Sequence, residues 1–281
     1  MDKKRINKNS TPYLLLTVIH VLIYVAVLRK KAEKKTWAFL LANIGMAFLF
    51  EYLTLNIFHG YRYKPNIMKN KRFDSILGAI FSQAIYIPII STYITIFKKD
   101  WTWKILFSYA YYKIEHLFLK KKIYKIYWWT PKYTFILLIL YFYISEWFYK
   151  ALGNRLTWVL KLTHYLSIEV ILSTGMYIYA VKRYIRVGRG FFHTWKEHFI
   201  IVPMYTLVLS FIAVYTSSRS GWLYWILPIG IQSILEAILI KYNIFKVNMT
   251  RTRMFVERIV FMVLVPRFLY RLIYVRGKIE E

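Results

Sequence analysis

The chain has 281 residues, of which 58% are hydrophobic and 20% aromatic, and its formal net charge is +28. A soluble domain averages about 45–50% apolar residues, and disordered chains contain few aromatic residues. A nucleic-acid-binding domain shares the basic charge but has no need of long uncharged apolar runs. The composition therefore predicts a polytopic membrane protein and no nucleic-acid partner.

The first predicted element is a basic tail, residues 1–11, followed by an apolar segment. Its order of charges resembles a signal peptide. However, no small-x-small cleavage site follows the apolar stretch, and Arg29, Lys30 and Lys31 come directly after it. We therefore predict that this segment is retained as the first membrane span.

Eight segments are predicted to cross the membrane, because each approaches the roughly 20 residues that a spanning helix needs. The fourth is the least apolar, since it contains Lys104, Lys113 and Glu115. The predicted spans are Pro12–Leu28, Trp37–Phe58, Ser75–Phe97, Trp101–Leu119, Tyr133–Tyr149, Leu156–Val181, Phe199–Thr216 and Trp222–Ile240.

The distribution of basic residues predicts the orientation of these spans. Of the 41 Lys and Arg residues, 28 fall on one side of the predicted membrane, 10 on the other and three within spans. The basic loop 29–36 is the one exception to this pattern. We predict a multi-pass protein of the bacterial plasma membrane with both termini cytoplasmic and with anionic lipid headgroups as partners at its basic face. An oligomer is compatible with the sequence.

The C-terminal segment, residues 254–281, mixes Arg258, Arg267 and Arg271 with apolar residues and contains Pro266. Its uninterrupted apolar run is too short to cross the membrane. We predict an amphipathic helix that lies on the inner membrane surface, and a ninth span is the alternative.

A shift of 121 residues aligns the chain with itself, so that Trp101 meets Trp222 and Glu115 meets Glu236. The same shift places the first four spans over the last four. It predicts a tandem duplication of a four-helix unit, and two halves with four spans each would have parallel topology. The predicted repeats are residues 12–132 and 133–253.

Four acidic side chains within the spans are the main candidates for function. A carboxylate inside the membrane costs a few kcal/mol and should face the bundle interior beside a partner. The carboxylates either line a path for a cation, proton or solute, or pair structurally with basic residues and tyrosine hydroxyls. Gln232 lies one helical turn from the last of them and is placed to orient it. The four are Glu51, Glu115, Glu169 and Glu236.

Two further groups are candidates. Lys161 and His164 are three residues apart in the sixth span and share a helical face near its outer end. Either Lys161 extends to the outer surface, or His164 relays protons toward Glu169. Each span that runs inward begins with a tryptophan, and the four are predicted to form an outer aromatic belt. They are Trp37, Trp101, Trp158 and Trp222.

The sequence contains no motif that indicates catalysis or cofactor binding. Absence of cysteine excludes disulfides, a thiolate nucleophile and a cysteine-ligated zinc site, and the sequence has no phosphate-binding loop or serine-nucleophile motif. His193 and His198 in HTWKEH are five residues apart, a spacing that does not stack them on one helical face. We expect no metal and no cofactor, and we lean against an enzymatic activity.

Two stretches, EYLTLNIFHGYRYKP (51–65) and ILFSYAYYKIEHLFLKKKIYKIYWWTPKYT (105–134), resemble a family of small multi-pass membrane proteins of Bacillus- and Clostridium-like bacteria. In that family a Glu near the end of a span is followed by a basic turn, an Ile–aromatic pair and a Trp-rich stretch. The resemblance implies the membrane class and no particular chemistry. The matching residues are Glu115, Ile123, Tyr124, Trp128 and Trp129.

The sequence thus predicts an all-α polytopic integral membrane protein with eight transmembrane helices, a tandem four-helix repeat and a C-terminal amphipathic helix. The leading functional hypothesis is a small permease or channel for a cation, a proton or a small solute, with intramembrane glutamates along the path. The alternative is a non-catalytic membrane scaffold or lipid-interacting protein of the bacterial envelope. An intramembrane enzyme that acts on lipid is the third.

Overall fold

The computed structural model describes residues 7–189 and 193–275. Over these residues the chain forms nine helices and two small antiparallel sheets. The helices are α1 Ser10–Lys31, α2 Lys34–Ile57, α3 Lys71–Ile96, α4 Trp101–Lys120, α5 Pro131–Gly153, α6 Thr157–Val181, α7 Trp195–Ser217, α8 Leu223–Lys241 and α9 251–274. The strands are β1 Tyr61–Tyr63, β2 Tyr124–Ile126, β3 Ile185–Val187 and β4 Phe245–Val247.

Six helices in the described part of the chain are long and apolar enough to cross a membrane: α1, α2, α3, α5, α7 and α8. They support the predicted multi-pass membrane protein. The other two predicted spans coincide with α4 and α6, whose sequences carry more polar residues. The number of eight spans therefore stays a prediction.

The helix boundaries follow from local chemistry. Asn70 caps α3 by accepting hydrogen bonds from the backbone N–H groups of Arg72 and Phe73, and Thr194 caps α7 in a reciprocal arrangement with Glu197. Short turns follow α4 and α8, and each contains one residue with positive φ, Lys122 (57°) and Asn243 (54°) respectively. These left-handed residues turn the chain from helix into strand.

Three helices in the described residues contain a π-helical segment. The segments are Tyr52–Ile57 in α2, Phe81–Tyr86 in α3 and Val260–Leu264 in α9. A π-helical segment adds a residue to a helix and occurs frequently at functional sites. The segment in α2 begins directly after Glu51, and the segment in α3 contains Gln83. Neither was predicted from the sequence.

The chain divides into two compact units, of which the first ends at Val159 and the second begins at Leu160. In the first unit, β1 pairs with β2 so that Tyr61 lies opposite Ile126 and Tyr63 opposite Tyr124. Helix α5 packs closely against α4 in the first unit, and the predicted repeats, residues 12–132 and 133–253, stay a prediction. Gly78 permits close contact between α3 and β1, because a Cβ atom there would overlap the Tyr63 side chain.

In the second unit, β3 pairs with β4, with Ile185 opposite Val247. Helix α9 runs antiparallel alongside α8. Arg258 bonds to Glu236, close to the end of α8, and Arg267 donates to the carbonyl of Tyr224 at the beginning of α8. Helix α9 thus packs against a membrane-span candidate from Arg258 to Arg267.

Candidate functional site

The first unit contains a cavity of about 380 Å³, which is within the usual range for ligand pockets. Residues from all five helices of the unit line it, and most are aliphatic or aromatic. Phe50, Leu140 and Ile144 line the cavity and are also exposed on the protein surface. The cavity therefore opens sideways where α2 and α5 lie.

Glu115 of α4 lies in the cavity wall, with only 8% of its surface exposed. Thr134 and Tyr124 line the same cavity and lie close to its carboxylate. Its Oε1 atom is buried and has no hydrogen-bond partner among the described residues. Because an unsatisfied buried acceptor costs about 1–3 kcal/mol, this oxygen is a natural point of attachment for a ligand.

Glu51 of α2 lies directly behind the cavity wall. Its Oε2 atom accepts hydrogen bonds from the Tyr61 hydroxyl at 2.6 Å and from the Gln83 amide at 2.8 Å, and both donors line the cavity. Burial, together with the charge of Glu51, holds the pKa of Tyr61 well above its ordinary value, so Tyr61 remains a donor. Over residues 7–189 and 193–275, the other oxygen of Glu51 has no partner either.

Four aromatic side chains, Tyr61, Tyr63, Tyr124 and Trp129, form an aromatic cluster at this end of the cavity. The ring centre of Tyr61 lies 5.4–5.6 Å from those of the other three, and the rings of Tyr63 and Tyr124 lie 5.1 Å apart. The pairing of β1 with β2 brings them together, since the cluster draws residues from both strands and from the turn after β2. Aromatic faces attract organic cations, so the cluster and the two carboxylates favour the same kind of ligand.

The second unit has a cavity of only about 40 Å³, and Glu236 in its wall forms an ion pair within the protein. Arg258 of α9 donates to Oε2 of Glu236 through Nη2 at 2.5 Å and Nε at 3.1 Å. Tyr205 and Gln232 donate to Oε1 at 2.9 and 2.7 Å. The predicted contact between Gln232 and Glu236 is present, and both carboxylate oxygens are satisfied from within the protein.

Glu169 of α6 is likewise surrounded by donors. Ser173 and Thr206 donate to its Oε1 atom at 2.5 and 2.7 Å, and Ser210 donates to its Oε2 atom at 3.0 Å. Hydroxyl groups therefore satisfy both oxygens. In the second unit both predicted path glutamates have structural partners, whereas in the first unit one buried oxygen of each glutamate has no partner among the described residues.

His164 and Lys161 have different surroundings. His164 is fully buried, and its Nε2 atom lies 2.9 Å from the carbonyl oxygen of Pro266 in α9. This contact joins α6 to α9, and a proton relay from His164 toward Glu169 stays a prediction. Lys161 is exposed, in keeping with the alternative that it extends to the surface.

The remaining sequence candidates are peripheral to the cavity. The described residues hold no group of three His, Asp or Glu side chains that could bind a metal ion. His198 accepts a hydrogen bond from the Val187 backbone N–H and so ties α7 to β3. The four predicted belt tryptophans, Trp37, Trp101, Trp158 and Trp222, are all exposed.

Comparisons of the chain with protein-family models, with curated proteins and with solved structures gave no match. The family resemblance of residues 51–65 and 105–134 stays a prediction. Both stretches contribute to the cavity of the first unit, through Tyr61 and Tyr63 from one and through Glu115, Tyr124 and Trp129 from the other.

Proposed function

We propose that the protein is a small permease of the bacterial plasma membrane, and that the cavity of the first unit binds a small amphipathic organic solute. Glu115, supported by Glu51, faces the polar end of this solute. The observation that carries the proposal is the open, buried oxygen of Glu115 in the wall of a largely apolar cavity.

The wall chemistry favours an organic solute over an inorganic ion. A path for a hydrated cation needs polar groups along its length. Here Glu115 is the one charged residue that lines the cavity among the described residues, while Leu16, Met46 and other aliphatic or aromatic side chains form most of the remaining wall. A ligand with an apolar body and one polar end matches this distribution.

A lipid-interacting protein is the second candidate, and the sideways opening of the cavity supports it. Phe50, Leu140 and Ile144 are exposed where the opening lies, and in a membrane this surface faces apolar surroundings. An acyl chain can enter such a cavity without passing through water. In that case the protein holds its ligand and does not move it across the membrane.

Uptake into proteoliposomes tests the permease proposal. The probes are tritiated butylguanidinium, butyltrimethylammonium and butylurea, which share one chain and differ in their heads. We expect at least one to enter faster than into protein-free liposomes. Glu115→Gln should lower that uptake about tenfold or more, because a bond to a charged group is lost. Glu33→Gln, which changes an exposed carboxylate just before α2 that does not line the cavity, should leave it unchanged.

Two results contradict the permease proposal. Uptake that is unchanged in Glu115→Gln, with only a lower melting temperature, assigns the carboxylate a structural role. Binding of a probe to the purified protein without any uptake favours the lipid-interacting alternative.

We further propose that the chain crosses the membrane nine times and that α2–α5 and α6–α9 are the repeated units, with α1 outside the repeat. The 121-residue shift relates β2 to β4 and Lys122 to Asn243, which share the left-handed conformation. It also relates α5 to α9. The contacts of Arg258 and Arg267 with α8 support a crossing helix over the predicted interfacial one, and with nine spans residue 275 would lie on the outer side.

Single cysteines test this topology, because the native sequence has none. Val275→Cys, Ser218→Cys and Asn248→Cys introduce thiols at exposed positions after α9, after α7 and after β4. We expect a membrane-impermeant maleimide to label Val275→Cys from the same side as Ser218→Cys and from the side opposite to Asn248→Cys. If Val275→Cys instead reacts together with Asn248→Cys, α9 lies on the inner surface.

A further inference from the structure

We infer that the ligand of the first unit carries an N–H-bearing organic cation, an alkylammonium or alkylguanidinium group, which occupies beside Glu115 the place that Arg258 occupies beside Glu236. This inference rests on the proposed function and names its class of solute. The comparison of the two units supports it.

The two glutamates are equivalent in the repeat but differ in their partners. Glu115 and Glu236 are 121 residues apart, and so are Leu137 and Arg258. In the second unit the guanidinium of Arg258 donates two hydrogen bonds to Glu236. In the first unit the equivalent position is Leu137, an apolar residue that lines the cavity. The first unit thus has the carboxylate and the space, but lacks the cation.

The space beside Glu115 is suited to a cation from outside the protein. The cavity measures about 380 Å³ in the first unit and about 40 Å³ in the second. Trp129 of the aromatic cluster has Thr250 as its equivalent in the second unit, and Tyr63, which pairs with Tyr124, has Val187 in the corresponding pair with Phe245. Aromatic faces that attract an ammonium group are therefore concentrated where the guanidinium is missing.

The open oxygen of Glu115 further restricts the head of the ligand. Oε1 of Glu115 is a buried acceptor in the cavity wall without a partner within residues 7–189 and 193–275. A quaternary ammonium group brings charge but no N–H donor, and a urea brings donors but no charge. A primary ammonium or guanidinium group supplies both, and charge-assisted hydrogen bonds are about twice as strong as neutral ones.

Equilibrium binding to the full chain in nanodiscs tests the inference. Tritiated butylguanidinium is the probe, and unlabelled butylammonium, butyltrimethylammonium and butylurea compete with it. We expect the guanidinium and primary ammonium compounds to bind at least about tenfold more tightly than the other two. Glu115→Gln should remove most of this preference while the weak binding of butylurea persists.

Leu137→Arg transfers the arrangement of the second unit to the first. Its guanidinium should pair with Glu115, abolish binding of butylguanidinium and leave the melting temperature equal or higher. Leu137→Met, which keeps an apolar side chain of similar size, should bind as the native protein does. If Leu137→Arg does not fold, the selectivity of Glu115→Gln decides the question.

Each outcome has a distinct meaning. Equal binding of butylguanidinium, butylurea and butyltrimethylammonium overturns the inference and leaves the proposed function standing, since the cavity then binds solutes without distinguishing their head groups. Unchanged binding in a folded Leu137→Arg also overturns it. Absence of binding by all four compounds removes the inference and, together with absent uptake, the proposed function.

The same cationic head occurs in free amines and in aminophospholipids. Binding of butylguanidinium is therefore compared in nanodiscs of phosphatidylglycerol alone and of phosphatidylglycerol with phosphatidylethanolamine. Weaker apparent binding in the second set identifies the lipid headgroup as a competitor for Glu115. Equal binding identifies a free alkylamine or alkylguanidine as the ligand class, and both results retain the inferred chemistry.

Discussion

Replacing Arg258 by methionine is expected to lower the free energy of unfolding by about 3–5 kcal/mol, because it leaves Glu236 as a buried charge without its counter-charge. Arg258 and Glu236 have side chains that are only 17% and 11% exposed, and the guanidinium makes two hydrogen bonds to one carboxylate oxygen. Methionine fills a similar space. The loss is measured by unfolding the purified protein in mixed micelles with increasing SDS.

Two companion variants separate the ion pair from other effects of Arg258→Met. Arg253→Met removes a more exposed partner of Glu257, one helical turn away, and should cost less than about 1 kcal/mol. Adding Glu236→Gln to Arg258→Met removes the stranded charge and should recover much of the lost stability. A cost for Arg258→Met no larger than that for Arg253→Met would show that the pair does not hold α9 in place.

Replacing Asp74 by alanine should cost at least about 3 kcal/mol, because it strands three backbone donors at once. The Asp74 carboxylate accepts from the N–H groups of Asn66, Ile67 and Met68 at 2.8, 2.7 and 2.9 Å. Only 6% of Asp74 is exposed, so water does not readily replace these bonds. The same SDS titration measures the change in stability.

The control for Asp74 is a second aspartate with one weak contact. Asp100 caps α4 through a single exposed hydrogen bond of 3.4 Å to the Trp103 N–H, and Asp100→Ala should cost about 1 kcal/mol. The loop anchored by Asp74 follows β1 directly, so Asp74→Ala should also weaken butylguanidinium binding. Equal costs for the two alanine variants would refute the anchoring role.

The helices were predictable because their signal is local. Long apolar runs in a chain of this composition leave few alternatives to helices, and every predicted span falls on a helix. The position of the C-terminal segment is harder to predict from the sequence, because its three arginines indicate a helix on the membrane surface. The structure gives two of them partners within the second unit: Arg258 bonds Glu236, and Arg267 bonds the Tyr224 carbonyl.

Within the candidate site, the sequence predicted only the residues whose burial in a membrane is energetically costly. The expense of a carboxylate within a span singled out Glu51 and Glu115, but which carboxylate keeps an open oxygen depends on other helices. Arg258 satisfies Glu236, whereas Oε1 of Glu115 has no partner among the described residues, and neither fact can be read from the glutamates themselves. The strands were missed because three residues show no recognisable alternation, and the π segments leave no signal in the apolar pattern.

The pairing of β1 with β2 has a consequence for how the protein is made. Tyr63 and Tyr124, which lie opposite each other, are 61 residues apart in the chain, so a ribosome adding about 5–20 residues per second completes the second strand roughly 3–12 s after the first. The helices between them are synthesised during this interval. The aromatic cluster and the cavity of the first unit therefore assemble only after α4 has been made, and a chain stalled before residue 124 has helices but lacks β2 and the complete cavity.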